Sequence, residues 1–372
     1  MPESRAASFL IYNQYSNRII QSKNNQKTII MIKIINHLFA KLTFFGAEPI
    51  AMGKILEIEK SAPNLIVYAL PVVLFFTVLE FVVFYFLEKK EYDKKETLGS
   101  VLIGLGNLTV NLLMKTGLLY AVVGIYNLVP YRIEFNWWSL IPCFILYDFS
   151  SYWTHRISHY CRFFWATHVV HHSAEQYNLT VSFRQSWFQY AKIVFFIPLI
   201  FAGFHPVVFF IANQLSVLYQ FWVHTEAIGK LHPFIEKHFG TPSNHRVHHG
   251  SQEKYLDKNF GATFMIWDHL FNSFQYEEEK PRYGITSPLK SKLNPLYLNI
   301  HEFQDIIRDV RKATGFRKKM YYIFASPDAI AKKKVQKETT QPQLPVSCEE
   351  VKKNTNNFSN SFSNTLAEKI IV

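Results

Sequence analysis

The chain has 372 residues, 49% of them hydrophobic and 18% charged, and its formal net charge is +12. A mean hydropathy near zero is too apolar for an average soluble domain and too polar for a chain embedded throughout, so we expect a membrane-embedded part and a water-facing part. A basic excess of this size suits an anionic partner, and the long apolar runs favour phospholipid headgroups over nucleic acid. The three cysteines, Cys143, Cys161 and Cys348, are too widely spaced for a disulfide framework or a CxxC metal site, which leaves histidine as the metal ligand.

Residues 1–63 are mixed and polar, with clusters of Asn, Gln and Lys, and we expect a partly disordered N-terminal region. The region has no apolar core with a cleavage site, so it does not resemble a secretory signal. Either Met1 or Met31 would serve as the first residue. Membrane insertion would therefore depend on internal segments.

Four apolar stretches predict segments that enter a membrane. At a rise of about 1.5 Å per residue, the first is long enough to cross a hydrocarbon core of about 30 Å. A charged loop at residues 88–96 separates it from the second, and Gly203-Phe204-His205-Pro206 divides the fourth into an antiparallel hairpin. The stretches are residues 65–87, 101–129, 137–153 and 190–223.

This order predicts an all-α integral membrane helical bundle of about four to five membrane segments, including the hairpin. The polar stretches 88–98, 154–189 and 224–372 would share one side and form a helical cap. The basic C-terminal portion makes that side cytoplasmic by the positive-inside rule, at the plasma membrane of a bacterium or the endoplasmic reticulum of a eukaryote. Lysines and arginines before residue 65 count against this orientation and leave the side of the N-terminus open.

The chain becomes basic after residue 280. Apolar side chains at helical spacing alternate there with basic ones, which is typical of an amphipathic helix lying on the bilayer or on its own cap. The apolar positions are Phe303, Ile306, Ile307 and Val310. We expect a basic amphipathic region at residues 281–331 and, because Lys, Gln, Asn and Ser dominate beyond it, a disordered tail at 332–372.

The histidines carry the strongest pattern, because twelve of the fifteen lie between His155 and His249 and eight of these form three tight boxes. The boxes are His155 and His159; His168, His171 and His172; and His245, His248 and His249. Spacings of three and four place imidazoles on one helix face, and each adjacent pair adds a ligand about 100° further round. This predicts two metals between neighbouring helices, with one histidine of each adjacent pair directed to each ion. His224, at the end of the hairpin, is a candidate ninth ligand.

Ligand type alone leaves the metal open, since neutral imidazole suits iron, zinc, copper and nickel. A zinc protease would need Glu after the first histidine of HExxH, and Arg156 stands there. A ferritin-like carboxylate site would need Glu-x-x-His, a spacing that the sequence lacks. Both of these classes are disfavoured.

At these residues the chain resembles the fatty acid hydroxylase and sterol desaturase family of membrane enzymes, whose pattern is HxxxH, HxxHH and a final HxxHH. The resemblance includes Asp148, seven residues before the first box, and Asn259-Phe260-Gly261 ahead of Trp267-Asp268. Further segments, such as His224-Thr225-Glu226, resemble the branch of the family that hydroxylates the ether-bearing carbon of glyceryl ethers with tetrahydrobiopterin. Residues 64–280 are thus expected to form the membrane-embedded catalytic domain.

The resemblance implies that the nine histidines bind two iron ions, which use dioxygen to hydroxylate a C–H bond of a membrane lipid. Asp148 is expected to orient a ligand through its free ring nitrogen. Asn259 and Glu80 are further candidate catalytic residues, Glu80 because lipid penalises an acid inside an apolar stretch, with a pairing to Lys115 or a tyrosine as the alternative. Electrons would come from a pterin or a redox protein, because the sequence has neither GxGxxG nor CxxCH.

Two alternatives stay open from the sequence. A sterol, fatty-acyl or carotenoid hydroxylase or desaturase would share every metal ligand and differ only in the shape of its pocket. A non-catalytic, histidine-rich metal transporter would place its histidines within the spans, whereas all three boxes lie outside the apolar stretches. Nucleic-acid binding is disfavoured, because no recognised nucleic-acid-binding fold accompanies the basic residues.

Overall fold

The computed structural model describes residues 46–89, 92–286 and 289–340. These residues are mostly helical and form no β-strand, only isolated bridges between Gly46 and Arg132 and between Phe239 and Phe264. In chain order the α-helices are α1 Ile55–Ser61, α2 Leu65–Val82, α3 Lys94–Leu128, α4 Leu140–Tyr160, α5 Arg162–Ala166, α6 Val169–His172, α7 Ile197–Phe201, α8 Pro206–Phe221, α9 Pro233–His238, α10 Pro242–His248, α11 Ile266–Leu270, α12 Pro295–Lys312, α13 Phe316–Phe324 and α14 Pro327–Thr340. A π-helical turn at Val83–Leu87 extends α2, and 3-10 turns lie at Met52–Lys54, Trp137–Ser139, Leu179–Phe183, Gln189–Phe195 and Glu253–Tyr255.

Two helical runs in the described part of the chain are long and apolar enough to cross a membrane. They are Met52–Leu87, which contains α1 and α2, and α3. Only 6% of the most apolar window of the first run and 17% of that of α3 are buried, so most of their side chains face outward, as lipid contact requires. The first two predicted stretches therefore form helices.

The third and fourth predicted stretches are also helical but less regular. The third forms the 3-10 turn Trp137–Ser139 and the first two thirds of α4, which continues to Tyr160. The fourth breaks at the predicted turn, where Gly203 has φ 84° and a Cβ atom would lie 2.5 Å from the carbonyl oxygen of Tyr131. Only glycine fits there. The arm before the turn is a 3-10 turn and α7, because Pro198, which has no N–H to donate, allows a helix to begin but not to continue through it.

The apolar core joins the longer apolar helices to each other. α4 packs on α8, and α3 and α7 complete one cluster whose buried members include Val122, Cys143, Tyr147, Leu199 and Phe209. The predicted polar region ahead of residue 64 contributes as well, because Ile55 of α1 is fully buried against Leu119 and Val123 of α3.

The C-terminal helix α12 packs on α5, which directly follows α4, and α14 is joined to α12. Arg162, which is 2% exposed, donates to Glu302 of α12 at 2.6 Å and to Asp309 at 2.8 Å. Lys334 of α14 reaches Asp309 at 3.1 Å, so one buried guanidinium and its carboxylates join three segments. A buried guanidinium is stable only when its carboxylate partners stay in place. This requirement fixes where α12 and α14 pack.

The boundary predicted at residue 332 falls inside α14, which continues to Thr340. Ser326 begins this helix by accepting from Ala329 N–H, and Ile330 is buried at 3% exposure. These anchors come from tertiary packing and capping, which composition alone does not reveal. The rest of the predicted tail and the predicted N-terminal region before residue 46 lie outside the described residues.

Candidate metal centre

Four parts of the fold supply the nine histidines. His155 and His159 lie one turn apart at the end of α4. In the second box, His168 is the N-cap residue of the short helix α6, and His171 and His172 are its last two residues. The third box occupies α10 and its C-cap, and His224 follows α8. α10 is short because Thr241 caps it, its hydroxyl accepting from Asn244 N–H at 3.2 Å, and Pro242 takes the first helical position.

The imidazoles converge in two groups. In each group the ligand nitrogens all lie within 4.8 Å of one another. The first group is His155, His159, His168, His172 and His248, and the second is His171, His224, His245 and His249. Adjacent histidines of a box enter different groups, as the helical rotation between them predicts. The structure thus brings together all nine of the histidines singled out in the sequence.

Backbone carbonyls fix the protonation of three rings. Nδ1 of His155 lies 2.9 Å from the carbonyl oxygen of Phe260, Nδ1 of His248 lies 2.9 Å from that of Lys258, and Nδ1 of His224 lies 2.7 Å from that of Gln220. A carbonyl oxygen only accepts, so each Nδ1 carries the proton and Nε2 of the neutral ring carries a lone pair. Burial lowers the pKa of His224 to about 4, which keeps its ring neutral at physiological pH.

The lone pairs meet at metal-ligand spacing. Pairs of Nε2 atoms lie 3.0 Å apart in His224 and His245, 3.1 Å in His171 and His249, and 3.1 Å in His172 and His248. Two nitrogens bound at about 2.1 Å and at right angles around one ion would be about 3.0 Å apart. Among the described residues, the buried Nε2 atoms of His155 and His159 have no hydrogen-bond partner. Converging, neutral imidazoles fit metal ions of the transition series, one in each group.

The loop that follows the third box contacts the outer side of the first histidine group. Asp257 lies 3.2 Å from Nδ1 of His159, and Asp257 and Asn259 both have positive φ. Asp268 fastens the same loop by accepting from the N–H groups of Phe260 at 2.8 Å and Gly261 at 2.7 Å. Burial raises the pKa of Asp268 to about 6. Such outer contacts set the direction of a ligand ring.

Asp148 supports this loop rather than a histidine. Its carboxylate accepts from the N–H groups of Thr263 at 2.9 Å and Phe264 at 3.2 Å, and from Trp267 Nε1–H at 2.9 Å. None of these bonds reaches an imidazole, so the predicted direct contact with a ring nitrogen is wrong. The support passes through the backbone, because the same loop carries the Phe260 carbonyl that accepts from His155.

Asn259 and Glu80 also bind backbone around the centre. Asn259 Nδ2–H donates to the carbonyl oxygens of Asn244 at 3.0 Å and Gln275 at 2.8 Å. Glu80, 5% exposed, accepts from Leu179 N–H at 2.7 Å and is hydrogen-bonded to the hydroxyl of Thr225, the neighbour of His224. Lys115, the alternative partner considered for Glu80, is 2.9 Å from Glu59.

Sequence reasoning missed Asp257 and the fully buried Arg184. Arg184 donates to the carbonyl oxygen of Val170 at 3.1 Å and to the Ser173 hydroxyl at 2.5 Å, and so holds α6 from its C-terminal end. Burial lowers the pKa of Arg184 to about 10. Arg184-Gln185-Ser186 and Asp257-Lys258-Asn259 both resemble segments of the ether-lipid branch, which was the available signal, but the sequence alone assigned no role to either residue.

Removing the carboxylate of Asp257 is expected to weaken metal binding to the first histidine group by about 10–100-fold, the usual effect of losing such an outer contact. Asp257→Gly permits the positive φ, whereas Asp257→Asn also keeps an oxygen that accepts from His159 and should recover most of the affinity. Titration of metal-free protein with Fe²⁺ measures the effect. Asp305→Asn, in an ion pair on α12, is the control, and equal affinities for Asp257→Gly and this control would contradict the assignment.

Comparison with known proteins agrees with this geometry. Residues 140–273 match the family model described as fatty acid hydroxylase. Alkylglycerol monooxygenase of Homo sapiens is 38% identical over 210 residues, covering 55% of this chain and 44% of that protein. Alkylglycerol monooxygenase of Xenopus tropicalis is 40% identical over 205 residues, covering 54% of this chain and 45% of that protein. A Delta(7)-sterol 5(6)-desaturase of Schizosaccharomyces pombe is 23% identical, covering 50% of this chain and 58% of that protein.

Residues 140–273 are therefore similar to the fatty acid hydroxylase domain. The resemblance to its ether-lipid monooxygenase branch is confirmed by the alkylglycerol monooxygenase matches. The chain spans less than half the length of those two relatives. No solved structure matches the chain.

Proposed function

We propose that this protein is a membrane-bound, oxygen-dependent lipid monooxygenase that uses two iron ions. The observation that carries the proposal is the division of nine imidazoles, six of them buried, into two groups, each with ligand nitrogens within 4.8 Å of one another. The first group would hold one iron and the second group the other. When bound, iron supplies the redox chemistry by which dioxygen inserts an oxygen atom into an unactivated C–H bond.

The protein's own residues prepare the site for that chemistry. Carbonyl acceptors hold the Nδ1 protons of His155, His224 and His248, so that their Nε2 atoms stay free to bind metal. Burial lowers the pKa of His171 and His172 well below the ordinary value and keeps these rings neutral as well. The same burial excludes water from the reacting groups.

Asp148, Asn259 and Glu80 are proposed as positioning residues, since each binds the segments that carry the histidines. The outward apolar faces of α2 and α3 suit lateral entry of an alkyl chain from the bilayer. The first two thirds of α4 and the hairpin of α7 and α8 are proposed as further membrane segments, with the histidines on the cytoplasmic side.

An alkylglycerol ether is the proposed substrate, because relatives at 38% and 40% identity are named alkylglycerol monooxygenase. Hydroxylation of the ether-bearing carbon gives a hemiacetal, which collapses to a long-chain aldehyde and glycerol. The proposed reductant is a tetrahydropterin such as tetrahydrobiopterin, with an electron-donor protein as the alternative, because the chain lacks its own dinucleotide or haem motif.

Purified protein in detergent is expected to bind about two irons per chain, and its consumption of dioxygen should require tetrahydropterin and become much faster when alkylglycerol is added. Mass spectrometry of the trapped aldehyde formed under ¹⁸O₂ should show one labelled oxygen. Metal-free protein is the control, and a sterol and a free fatty acid replace the ether in parallel reactions. Turnover of these lipids but not of the ether would reject the ether assignment, and metal transport without oxygen consumption would reject the monooxygenase.

A further inference from the structure

Two tyrosines connect the second histidine group with the protein surface. The ring of Tyr177, 4% exposed, lies 5.2 Å from that of His249 and 6.0 Å from that of His224 between centroids. Tyr283 stacks on Tyr177 with centroids 4.8 Å apart and an interplanar angle of 16°. The three aromatic layers are therefore in van der Waals contact from the centre outward.

The two phenols differ in their hydrogen-bond acceptors. Tyr177 donates to the carbonyl oxygen of Val223 at 3.1 Å, which is a weak base. Tyr283 donates to a carboxylate oxygen of Glu226 at 3.0 Å. Glu226 in turn lies 3.4 Å from the ammonium of Lys280, whose side chain is 76% exposed. The outer phenol thus has a proton acceptor at the surface, and the inner phenol does not.

This arrangement has a consequence for one-electron chemistry. A tyrosine that loses an electron becomes a strong acid, so its oxidation is easiest where a base can take the phenolic proton at the same time. Burial, reinforced by Glu226, raises the pKa of Tyr283 far above its ordinary value, so the phenol keeps its proton until it is oxidised. Tyr283 is consequently the better final site for an oxidising equivalent, with Tyr177 as the intermediate step.

We propose that Tyr177 and Tyr283 form a redox relay that carries an oxidising equivalent from the histidine centre to the surface when no lipid is present to be oxidised. This rests on the proposed monooxygenase function. A one-electron oxidant generated at the centre with dioxygen takes an electron from Tyr177. Tyr177 then takes an electron from Tyr283, and the phenolic proton of Tyr283 passes to Glu226. A small thiol or ascorbate at the surface then returns one electron to the Tyr283 radical, and Glu226 returns the proton.

Trp165, another aromatic neighbour of the centre, is less suited to this role. Trp165 lies 5.2 Å from His159 and 5.6 Å from His172 between ring centroids, beside the first group. Among the described hydrogen bonds, none joins the indole N–H of Trp165 to an acceptor. An oxidised Trp165 therefore has no hydrogen-bonded group to receive its proton. A tryptophan radical in place of a tyrosyl radical would therefore contradict the proposal.

The relay can be tested on the iron-loaded full chain exposed to dioxygen and tetrahydropterin without lipid. Rapid freezing followed by electron paramagnetic resonance is expected to show a tyrosyl radical. Protein with 3,5-difluorotyrosine at position 283 should add fluorine hyperfine splitting to that signal, which assigns the radical to this residue. A signal without the splitting, or a tryptophan signal, would overturn the relay.

Tyr→Phe variants separate a redox role from a packing role, because phenylalanine keeps the ring stack and loses only the phenol. Tyr283→Phe is expected to abolish the radical and to increase oxidation of the neighbouring histidines, seen by peptide mass spectrometry. Glu226→Gln should lower the radical yield by removing the base. Tyr276→Phe, which replaces a 48% exposed tyrosine outside the stack, is the control and should leave the signal unchanged.

The two proposals fail in different ways. Lipid turnover by the normal enzyme without a radical at Tyr283 would reject the relay and leave the monooxygenase intact. No oxygen uptake with or without lipid would reject both, since the relay has no oxidant without the centre's reaction.

Discussion

His171→Ala and His172→Ala are expected to remove different metal ions, although the two residues are neighbours on α6. His171 belongs to the second histidine group and His172 to the first. Each variant should keep the metal of the other group, so the ratio of iron to protein falls from about two to about one in both cases. Activity should fall by more than about 100-fold in both, since the loss of an outer contact alone costs up to that factor.

Mössbauer spectroscopy of ⁵⁷Fe-loaded protein distinguishes the two outcomes, because the irons that remain have different ligand sets. His269→Ala is the matched control, since His269 is exposed and belongs to neither group. Identical spectra for the two α6 variants would mean that the adjacent rings serve one ion, and full metal content in both would contradict the centre altogether. Circular dichroism checks that the helical content is retained.

The convergence of the nine histidines was predictable from the sequence, because much of the information that places them is local. A spacing of four in His155 and His159 is enough to place both rings on one face of α4, and the quarter-turn between His171 and His172 is enough to separate them. The long apolar helices follow equally from local composition, and so does the break after Gly203, because glycine and proline interrupt an apolar run.

The contacts that orient the rings were not predictable, because they depend on distant segments. Phe260 accepts from His155 through a carbonyl oxygen that every residue type carries, so no side chain marks it. The contact predicted for Asp148 was wrong, since its position seven residues ahead of His155 does not reveal the loop of Thr263 and Phe264 that folds onto it. Long-range hydrogen bonds of this kind need the assembled fold.

Glu80→Leu is expected to destabilise the protein, although removing an acid from an apolar helix would stabilise a residue that faced lipid. The carboxylate accepts from Leu179 N–H at 2.7 Å and from the Thr225 hydroxyl, and both groups are buried. Leaving a buried donor unsatisfied costs about 1–3 kcal/mol, so the two together should lower the free energy of unfolding by roughly 2–6 kcal/mol. Because Thr225 follows His224, the second group should also lose metal while the first retains it.

Glu80→Gln should rescue most of this loss, since an amide oxygen can accept from Leu179 N–H while the amide nitrogen donates to the Thr225 oxygen. Glu59→Leu is the matched control on the same apolar run, Met52–Leu87. Glu59 pairs at 2.9 Å with Lys115, whose side chain is 50% exposed, and an exposed pair of this kind contributes about 0–1 kcal/mol. Thermal unfolding in detergent and the metal content of each site measure the three variants. If Glu80→Leu and Glu59→Leu lose equal stability and equal metal, then Glu80 does not position the His224 turn, and the acid in this helix needs another explanation.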